Sequence, residues 1–318
     1  MSIRVGIAGY GNIGRAVETV IRQNPDMTLT AVLTRREPQT IQTQTPGLPV
    51  YPLDEAESLT GRIDVMILCG GSAKDLPEQG PRLAALFNTV DSFDTHAVVT
   101  EYFGRMNAAA ARTAAVIAAG WDPGLFSAIR LISEAFLPEG VSQTFWGRGV
   151  SQGHSDALRR VAGVRDAVQY TVPKQTAVDA ARNGTASLTT REKHLRECFV
   201  VAEAGADRSR IEQEIKTMPH YFDGYDTVVH FVESVNRTDM PHAGLALRSG
   251  TSGNHKHLME MSLSMESNPE FSAGILLAYA RAAVRLSAEG SFGAKTVFDI
   301  PLAYLSPKDG DSLRRELI

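Results

Sequence analysis

The 318-residue chain is 43% hydrophobic and 21% charged, long enough for two domains and too apolar for a disordered chain. A formal net charge of −4, with no basic stripe interleaved with aromatics, argues against a nucleic-acid partner. No apolar run approaches the roughly 20 residues of a membrane span, and the N-terminus enters a strand without a signal-peptide core, so no membrane partner is expected and the expected location is cytoplasmic. The only cysteines, Cys69 and Cys198, exclude a disulfide framework or a multi-cysteine metal centre and read as inert buried thiols.

In chain order, the first third alternates strands and helices. A strand over 4–8 feeds Gly9, Gly11 and Gly14 in G-x-G-x-x-G spacing, then a helix over about 14–22. A strand at 29–33 follows, then an apolar strand at 65–69 ending in Gly70 and Gly71. A helix around 83–87, a short strand at 89–91, an Ala-rich helix near 106–115 and a strand at 116–119 complete the region. Strands joined by helical crossovers predict a Rossmann, doubly wound parallel sheet, with ligands at the carboxyl ends of its strands.

Beyond about residue 120 the pattern changes. "SQTFWG", "AVQYTV", "ECFVVAE" and "TVVHFVES" read as strands, and over 259–265 Met259, Met261, Leu263 and Met265 alternate with polar residues. Period-2 alternation predicts an α+β domain with a mostly antiparallel sheet, covered by the helical "SRIEQEIKTM". "EFSAGILLAYARAAVRLSAEG" is apolar at helical spacing and predicts a long helix. The expected division is 1–120 for dinucleotide binding and 121–268 for substrate binding and dimerisation, with 269–318 returning to the first domain.

The glycine fingerprint expects an acid roughly 20 residues on, to hold a ribose hydroxyl. Thr34, Arg35 and Arg36 stand there instead. A carboxylate would repel a dianionic 2′-phosphate, whereas arginine offers it a planar fork of donors, so NADP is the expected cofactor. Two later strand ends deliver acids, Asp91 in "TVDSFDTH" and Asp122 after Trp121 in "AAGWDPGLFS". Spacing leaves two readings open for both: a cationic substrate group held between them, or turn formation. Asp94 reads as a helix N-cap. "GHSDAL" reads as a capped helix with Ser155 or Asp156 as cap, and no nucleophile elbow surrounds its serine. His255 and His257 share a strand face, but no third ligand is spaced to join them, so no metal is expected.

Ten segments, "GYGNIGR", "TRR", "VDSFDTH", "GWDPG", "FWGRGVSQGHSDALRR", "AVQYT", "RECFVV", "TMPHYFDGY", "MPHAG" and "NPEF", run in that order along essentially the whole chain. In them the sequence resembles the meso-diaminopimelate dehydrogenase family. The long segment ending in Arg160 is the most specific. Residues 97–114, 174–195 and 233–241 follow the family only loosely. The resemblance implies a homodimer that uses NADP to deaminate the D-centre of meso-2,6-diaminopimelate oxidatively, giving L-2-amino-6-oxopimelate and ammonia.

Carried over position by position, the resemblance puts the D-centre pocket at Asp91, Trp121, Asp122, Trp146, Gln152 and Gly153, and the distal L-centre pocket at Thr171, Arg196, His242 and Asn268. Asp91 and Asp122 become the candidate catalytic pair. The cofactor set becomes Gly9, Tyr10, Gly11, Asn12, Ile13, Gly14, Thr34, Arg35, Arg36, Cys69, Gly70, Gly71, Ser72 and Ala73, with Asp91, Trp121, Asp122 and Pro123 at the later strand ends. The chemistry is consistent, because a substrate with two ammonium and two carboxylate groups needs acids for the amines and Arg, His or amide donors for the carboxylates. Apart from the resemblance, Arg196 reads as a surface charge at a strand entrance and His242 as an ordinary loop histidine. Two other classes share the architecture: a non-catalytic NADP(H)-binding regulator, and reductases or semialdehyde dehydrogenases, the last needing a thiol nucleophile that Cys69, at a strand end, is poorly placed to supply.

Overall fold

The computed structural model describes residues 2–318 apart from Ala186, His220 and 237–239. His220 of the "TMPHYFDGY" segment and part of the loosely matching 233–241 stretch therefore lie outside the described residues. The chain divides into two compact units, Met1–Ala128 with Pro269–Ile318, and Ile129–Asn268.

The first unit begins with β1 (Ile3–Ala8), α1 (Asn12–Val20), β2 (Met27–Thr34), β3 (Val50–Pro52) and β4 (Val65–Leu68). It continues with α2 (Leu76–Ala84), β5 (Asn88–Asp91), α3 (Val99–Ala109), β6 (Ala114–Val116) and the start of α4 (Leu125–Phe136). The second unit holds β7 (Glu139–Trp146), β8 (Gly149–Val150), α5 (Gln152–Leu158), β9 (Val164–Pro173), α6 (Gln175–Arg182), α7 (Thr190–Lys193) and β10 (His194–Ala202). It closes with α8 (Arg208–Lys216), β11 (Asp226–Phe231), β12 (His242–Ser252) and β13 (His255–Met265). Then α9 (Asn268–Ala288), β14 (Gly293–Lys295) and α10 (Gly310–Leu317) complete the first unit.

The seven strands of the first unit pair in the order β3-β2-β1-β4-β5-β6-β14, all in parallel. The order reverses between β1 and β4, the switch point where such sheets leave a crevice for ligand. Both faces are covered. Val5, Ile7 and Val17 pack with Leu276, Leu277, Ala280 and Ala283 of α9 on one side. Leu33, Met66 and Leu68 pack with Leu83, Tyr102 and Met106 of α2 and α3 on the other. Each fully buried Leu or Ile contributes about 1.5–3 kcal/mol. Buried Arg281 ties α9 to the loop before β2 through Asp26, at 2.6 Å, and the guanidinium holds the Asp26 carboxyl below its usual range.

Several local expectations give way to tertiary context. The helix expected at 83–87 lies at α2 and spans Pro77 and Pro81; the missing N–H of Pro77 falls in the first turn, where it has no intrahelical partner to lose. The Ala-rich stretch expected to be helical to residue 115 stops at Ala109, and Ala114 to Val116 become β6. Helix propensity of alanine is a matter of tenths of a kcal/mol, and pairing between β5 and β14 outweighs it. Short strands β3 and β14 carry too few residues to show a period.

In the second unit one sheet runs β11-β10-β9-β8 and another β13-β12-β7. All pairs are antiparallel except β10 with β11. On the first sheet Ala167, Cys198 and Val200 pack under Leu158, Ile211, Ile215 and Phe222. On the second, Phe145 and Leu247 pack under Ala177, Val178 and Ala181 of α6. The cap of α5 is Ser151, whose Oγ accepts the N–H of His154, in place of the expected Ser155 or Asp156.

Candidate functional site

A cleft of about 440 Å³ opens at the switch point of the parallel sheet. Of the expected cofactor residues, Gly9, Tyr10, Gly11, Thr34, Arg35, Arg36, Cys69 and Gly70 line it. Each glycine of the fingerprint has a distinct reason. Gly9 has φ +97°, and a Cβ there would press on the backbone of Cys69; a Cβ on Gly14 would overlap the Gly9 carbonyl and push α1 off the strand. A Cβ on Gly11 would meet nothing within 4 Å. Gly11 is also the N-cap of α1 and offers no side-chain cap, so no capping side chain screens the helix's positive dipole end. Asn12 and Ile13 open the same helix.

The basic rim is built by the end of β2. Thr34 is buried and its Oγ1 accepts the backbone N–H of Arg36 at 3.1 Å; the Arg36 guanidinium in turn donates to the Tyr10 carbonyl at 2.6 Å. Tyr10 donates its hydroxyl to buried Glu18, which also accepts the Thr45 N–H at 2.5 Å, so the turn is braced from behind. Arg35 crosses to Asp75 at 2.7 Å. Leu33, Leu53, Asp75 and Gln79 also line the cleft and were not expected from the sequence. The donor set fits a dinucleotide carrying a 2′-phosphate: an uncapped helix terminus for the pyrophosphate, two guanidiniums for the extra dianion. Burial pushes the Cys69 thiol up to about 12, which leaves no thiolate for nucleophilic chemistry.

Gly71, Ser72 and Ala73 form the turn after β4, and Ser72 Oγ accepts the backbone N–H of Asp94 at 3.1 Å. Asp91 at the end of β5 is fully buried. Its Oδ1 accepts the N–H groups of Phe93 (2.9 Å) and Ala118 (3.1 Å), and its Oδ2 accepts the Tyr102 hydroxyl at 2.7 Å. Burial raises this carboxyl to about 6 against the pull of those three donors. The Ala118 it holds has φ +54°, a strained backbone at the root of the loop carrying Trp121, Asp122 and Pro123. Trp121 is buried edge-on against Phe126 at 5.5 Å, and Asp122 is half-buried. Asp94 makes no helix cap; the residue preceding that short 3₁₀ turn is Thr95, and the Asp94 side chain is exposed. It lines a second cavity of about 200 Å³ with His96, Pro123, Ser127 and Thr296.

Within the second unit the distal residues converge. Gly149 of β8 pairs with Thr171 of β9, and Thr171 pairs with Arg196 of β10. Buried Arg196 donates to Thr171 Oγ1, lies 3.8 Å from the Tyr225 ring centroid, and keeps its Nε without a hydrogen-bond partner. Buried Gln169, on the same face, also has an unmatched Oε1. Alternation along β9 and β10 puts these polar groups at one end of the otherwise apolar face under α5 and α8. A Cβ on Gly149 would overlap the His242 imidazole, so this glycine makes room for that ring. His242 opens β12, and the Asn268 N–H reaches back to Met240 O at 3.1 Å at the same end. Gln152 and Gly153 form the first turn of α5, next to β8. Trp146, partly exposed at the end of β7, donates its backbone N–H to His194 Nε2 at 3.0 Å and stacks on that ring. Gln169, Tyr225 and His194 were missed; alternation in "AVQYTV" places Gln169 two residues from Thr171, which is the only sequence signal for it.

Burial is the main cause of depressed basicity here. It lowers His154 and His194 to about 4, with the Arg196 charge adding to the effect, and lowers His242 and Arg196 as well. Among the described residues no group of three or more His, Cys, Asp or Glu is arranged to hold a metal, and no helix is long and apolar enough to cross a membrane.

A parallel sheet in dinucleotide-binding order, with a glycine turn, an uncapped helix terminus and a basic rim, defines a Rossmann-type dinucleotide-binding protein. Residues 120–267 match the diaminopimelic acid dehydrogenase C-terminal domain, and the whole chain is 58% identical over 324 residues to a meso-diaminopimelate D-dehydrogenase of Ureibacillus thermosphaericus, covering 99% of each. The chain belongs to the meso-diaminopimelate D-dehydrogenase family. The Corynebacterium glutamicum enzyme of that name is 44% identical, with 98% of each chain covered. A structure of the C. glutamicum dehydrogenase in complex with DAP superposes with a TM-score of 0.89 at 43% identity, covering 100% of this chain and 99% of that one. An engineered D-amino acid dehydrogenase bound to NADP+ gives 0.85 at 42%, covering all of both chains.

Proposed function

We propose that the chain catalyses the reversible, NADP-dependent oxidative deamination of the D-centre of meso-2,6-diaminopimelate to L-2-amino-6-oxopimelate and ammonia, serving lysine and cell-wall precursor synthesis. The observation that carries the reading is the buried Arg196 fork beside Thr171, with its Nε unmatched, on a sheet whose neighbouring Gly149 makes room for the His242 ring. A buried guanidinium with spare donor capacity and no carboxylate partner among the described residues suits a substrate carboxylate far from the reacting centre. A regulator needs no such second anchor.

NADP, when bound, supplies the hydride acceptor. Gly11 and the start of α1 would hold its pyrophosphate, and Arg35, Arg36 and Thr34 its 2′-phosphate. The chain's task is to orient the D-centre carbon and to manage charge. Loss of hydride from that carbon and of a proton from its amine forms a carbon–nitrogen double bond, which water opens to the ketone with release of ammonia. Asp122 and the exposed Asp94 take the reacting amine, and one of them, directly or through water, receives its proton. In place of the direct role expected for Asp91, its buried carboxylate holds Ala118 and so sets the loop that carries Trp121 and Asp122. Trp121, buried beside Asp122, excludes solvent from the reacting end.

We read the enzyme as cytoplasmic and homodimeric. The half-buried Met259, Met261 and Leu263 on edge strand β13 offer the apolar surface that a second copy would cover, and light scattering decides the oligomeric state. Initial rates of NADP reduction with meso-, LL- and DD-diaminopimelate test the activity. Turnover of the meso isomer well above both others is expected; equal rates with the LL isomer would refute D-centre chemistry.

A further inference from the structure

Asp75 sits at the N-cap position of α2 yet makes no side-chain cap to that helix. One of its oxygens accepts the Gly71 N–H at 3.0 Å and the other pairs with Arg35 at 2.7 Å. The backbone is shaped for this: a Cβ on Gly70 would crowd the Asp75 Cβ at 2.8 Å. Asp75, Arg35 and Arg36 line the same cleft, and the two arginines differ in what holds them. Arg36 is pinned by a neutral carbonyl, that of Tyr10, and keeps its full charge for an incoming anion. Arg35 is already matched by a carboxylate.

We propose that Asp75 is a specificity-determining residue of the cofactor site, a built-in carboxylate that competes with the cofactor's 2′-phosphate for Arg35. A phosphate approaching Arg35 must share or displace that carboxylate and is repelled by it, because like charges a few ångströms apart disfavour one another. A 2′-hydroxyl meets no such opposition and can donate to the carboxylate. Asp75 thus narrows the preference that the two arginines create and holds phosphate affinity below what they alone would reach. The inference rests on the reading of Arg35 and Arg36 as phosphate ligands.

Calorimetric titration with 2′,5′-ADP and with 5′-AMP separates the phosphate from the rest of the cofactor and needs no turnover. Asp75→Asn removes the charge while keeping an oxygen for the Gly71 N–H, and Asp75→Ala repeats the test without the amide. Both should bind 2′,5′-ADP about 2- to 5-fold more tightly than the wild type, the upper range of a partly exposed ion pair, with 5′-AMP affinity unchanged. In an Arg35→Ala background the gain should vanish. Unchanged or weaker 2′,5′-ADP binding, an equal gain for 5′-AMP, or a gain that survives loss of Arg35 would each overturn the proposal. Wild type that binds the two ligands equally would instead remove the phosphate reading beneath it.

Discussion

His194 Nε2 accepts the backbone N–H of Trp146 at 3.0 Å, which fixes the ring as the neutral tautomer protonated on Nδ1. Protonating Nε2 would break that bond and put a second positive charge near Arg196. The folded-state pKa is lowered to about 4, first by burial and then by Arg196 and Lys193, against about 6.5 in an unfolded chain. The stability it contributes is therefore complete above about pH 6.5 and is lost as pH falls toward 4. Urea unfolding at pH 7 and pH 5 should show wild type losing about 1–2 kcal/mol more than His194→Gln on acidification. The comparison with the variant matters, since His154 titrates in the same direction and Asp91 in the opposite one. Equal losses in both proteins would mean that His194 is not the group responsible.

The proposed mechanism gives the Asp91 carboxylate a structural role and the Asp94 carboxylate a chemical one. Asp94→Asn alters an exposed side chain and should lower kcat/KM for the meso substrate by about 10-fold or more, with Tm nearly unchanged. Asp91→Asn disturbs a buried acceptor of three donors and should cost about 1–3 kcal/mol of stability. It also removes a raised carboxyl, whose stabilising contribution is full below the unfolded pKa near 3.9 and lost as pH rises through about 6. If Asp91→Asn kept its Tm and lost turnover, Asp91 would be the group at the amine.

Arg36 donates to Tyr10 O in a pose set by Thr34, so its charge is directed before any ligand arrives. Arg36→Ala should raise KM for NADP by roughly 10- to 100-fold and leave KM for NAD within a few-fold, as loss of a charge-assisted fork to phosphate predicts. Steady-state kinetics with both cofactors checks this. Parallel increases would point to collapse of the Tyr10 turn rather than to loss of phosphate recognition.

Arg196→Met keeps an apolar stem of similar length against Tyr225 while deleting the fork. The expected loss in kcat/KM for meso-diaminopimelate is about 2–4 kcal/mol, with kcat as well as KM affected, because binding at the remote end orients the reacting carbon. NADP affinity, measured alongside, should not move. Near-normal turnover in this variant would favour a simple D-amino-acid dehydrogenase with no distal anchor.

Much of the dinucleotide site was legible in the sequence because its information is local. Gly9 carries a left-handed φ and Gly14 must clear the Gly9 carbonyl five residues back, and Arg35 and Arg36 follow the second strand at a spacing set by one β-α-β unit. The distal residues were legible only through family resemblance. Nothing near Thr171, Arg196 or His242 in the chain announces a shared site, since strand pairing joins Thr171 to Arg196 across 25 positions and Gly149 meets the His242 ring across 93. Tertiary structure alone decided which groups remain free to act. Asp91 and Asp94 are three residues apart with the same side chain, yet one is sealed beneath Tyr102 and the other is exposed. Asp75 precedes α2 in the chain, and only the fold turns its carboxylate toward Arg35. A sequence states which charges exist; their burial and partners, which set what each can bind or titrate, are sums over neighbours that the chain order does not contain.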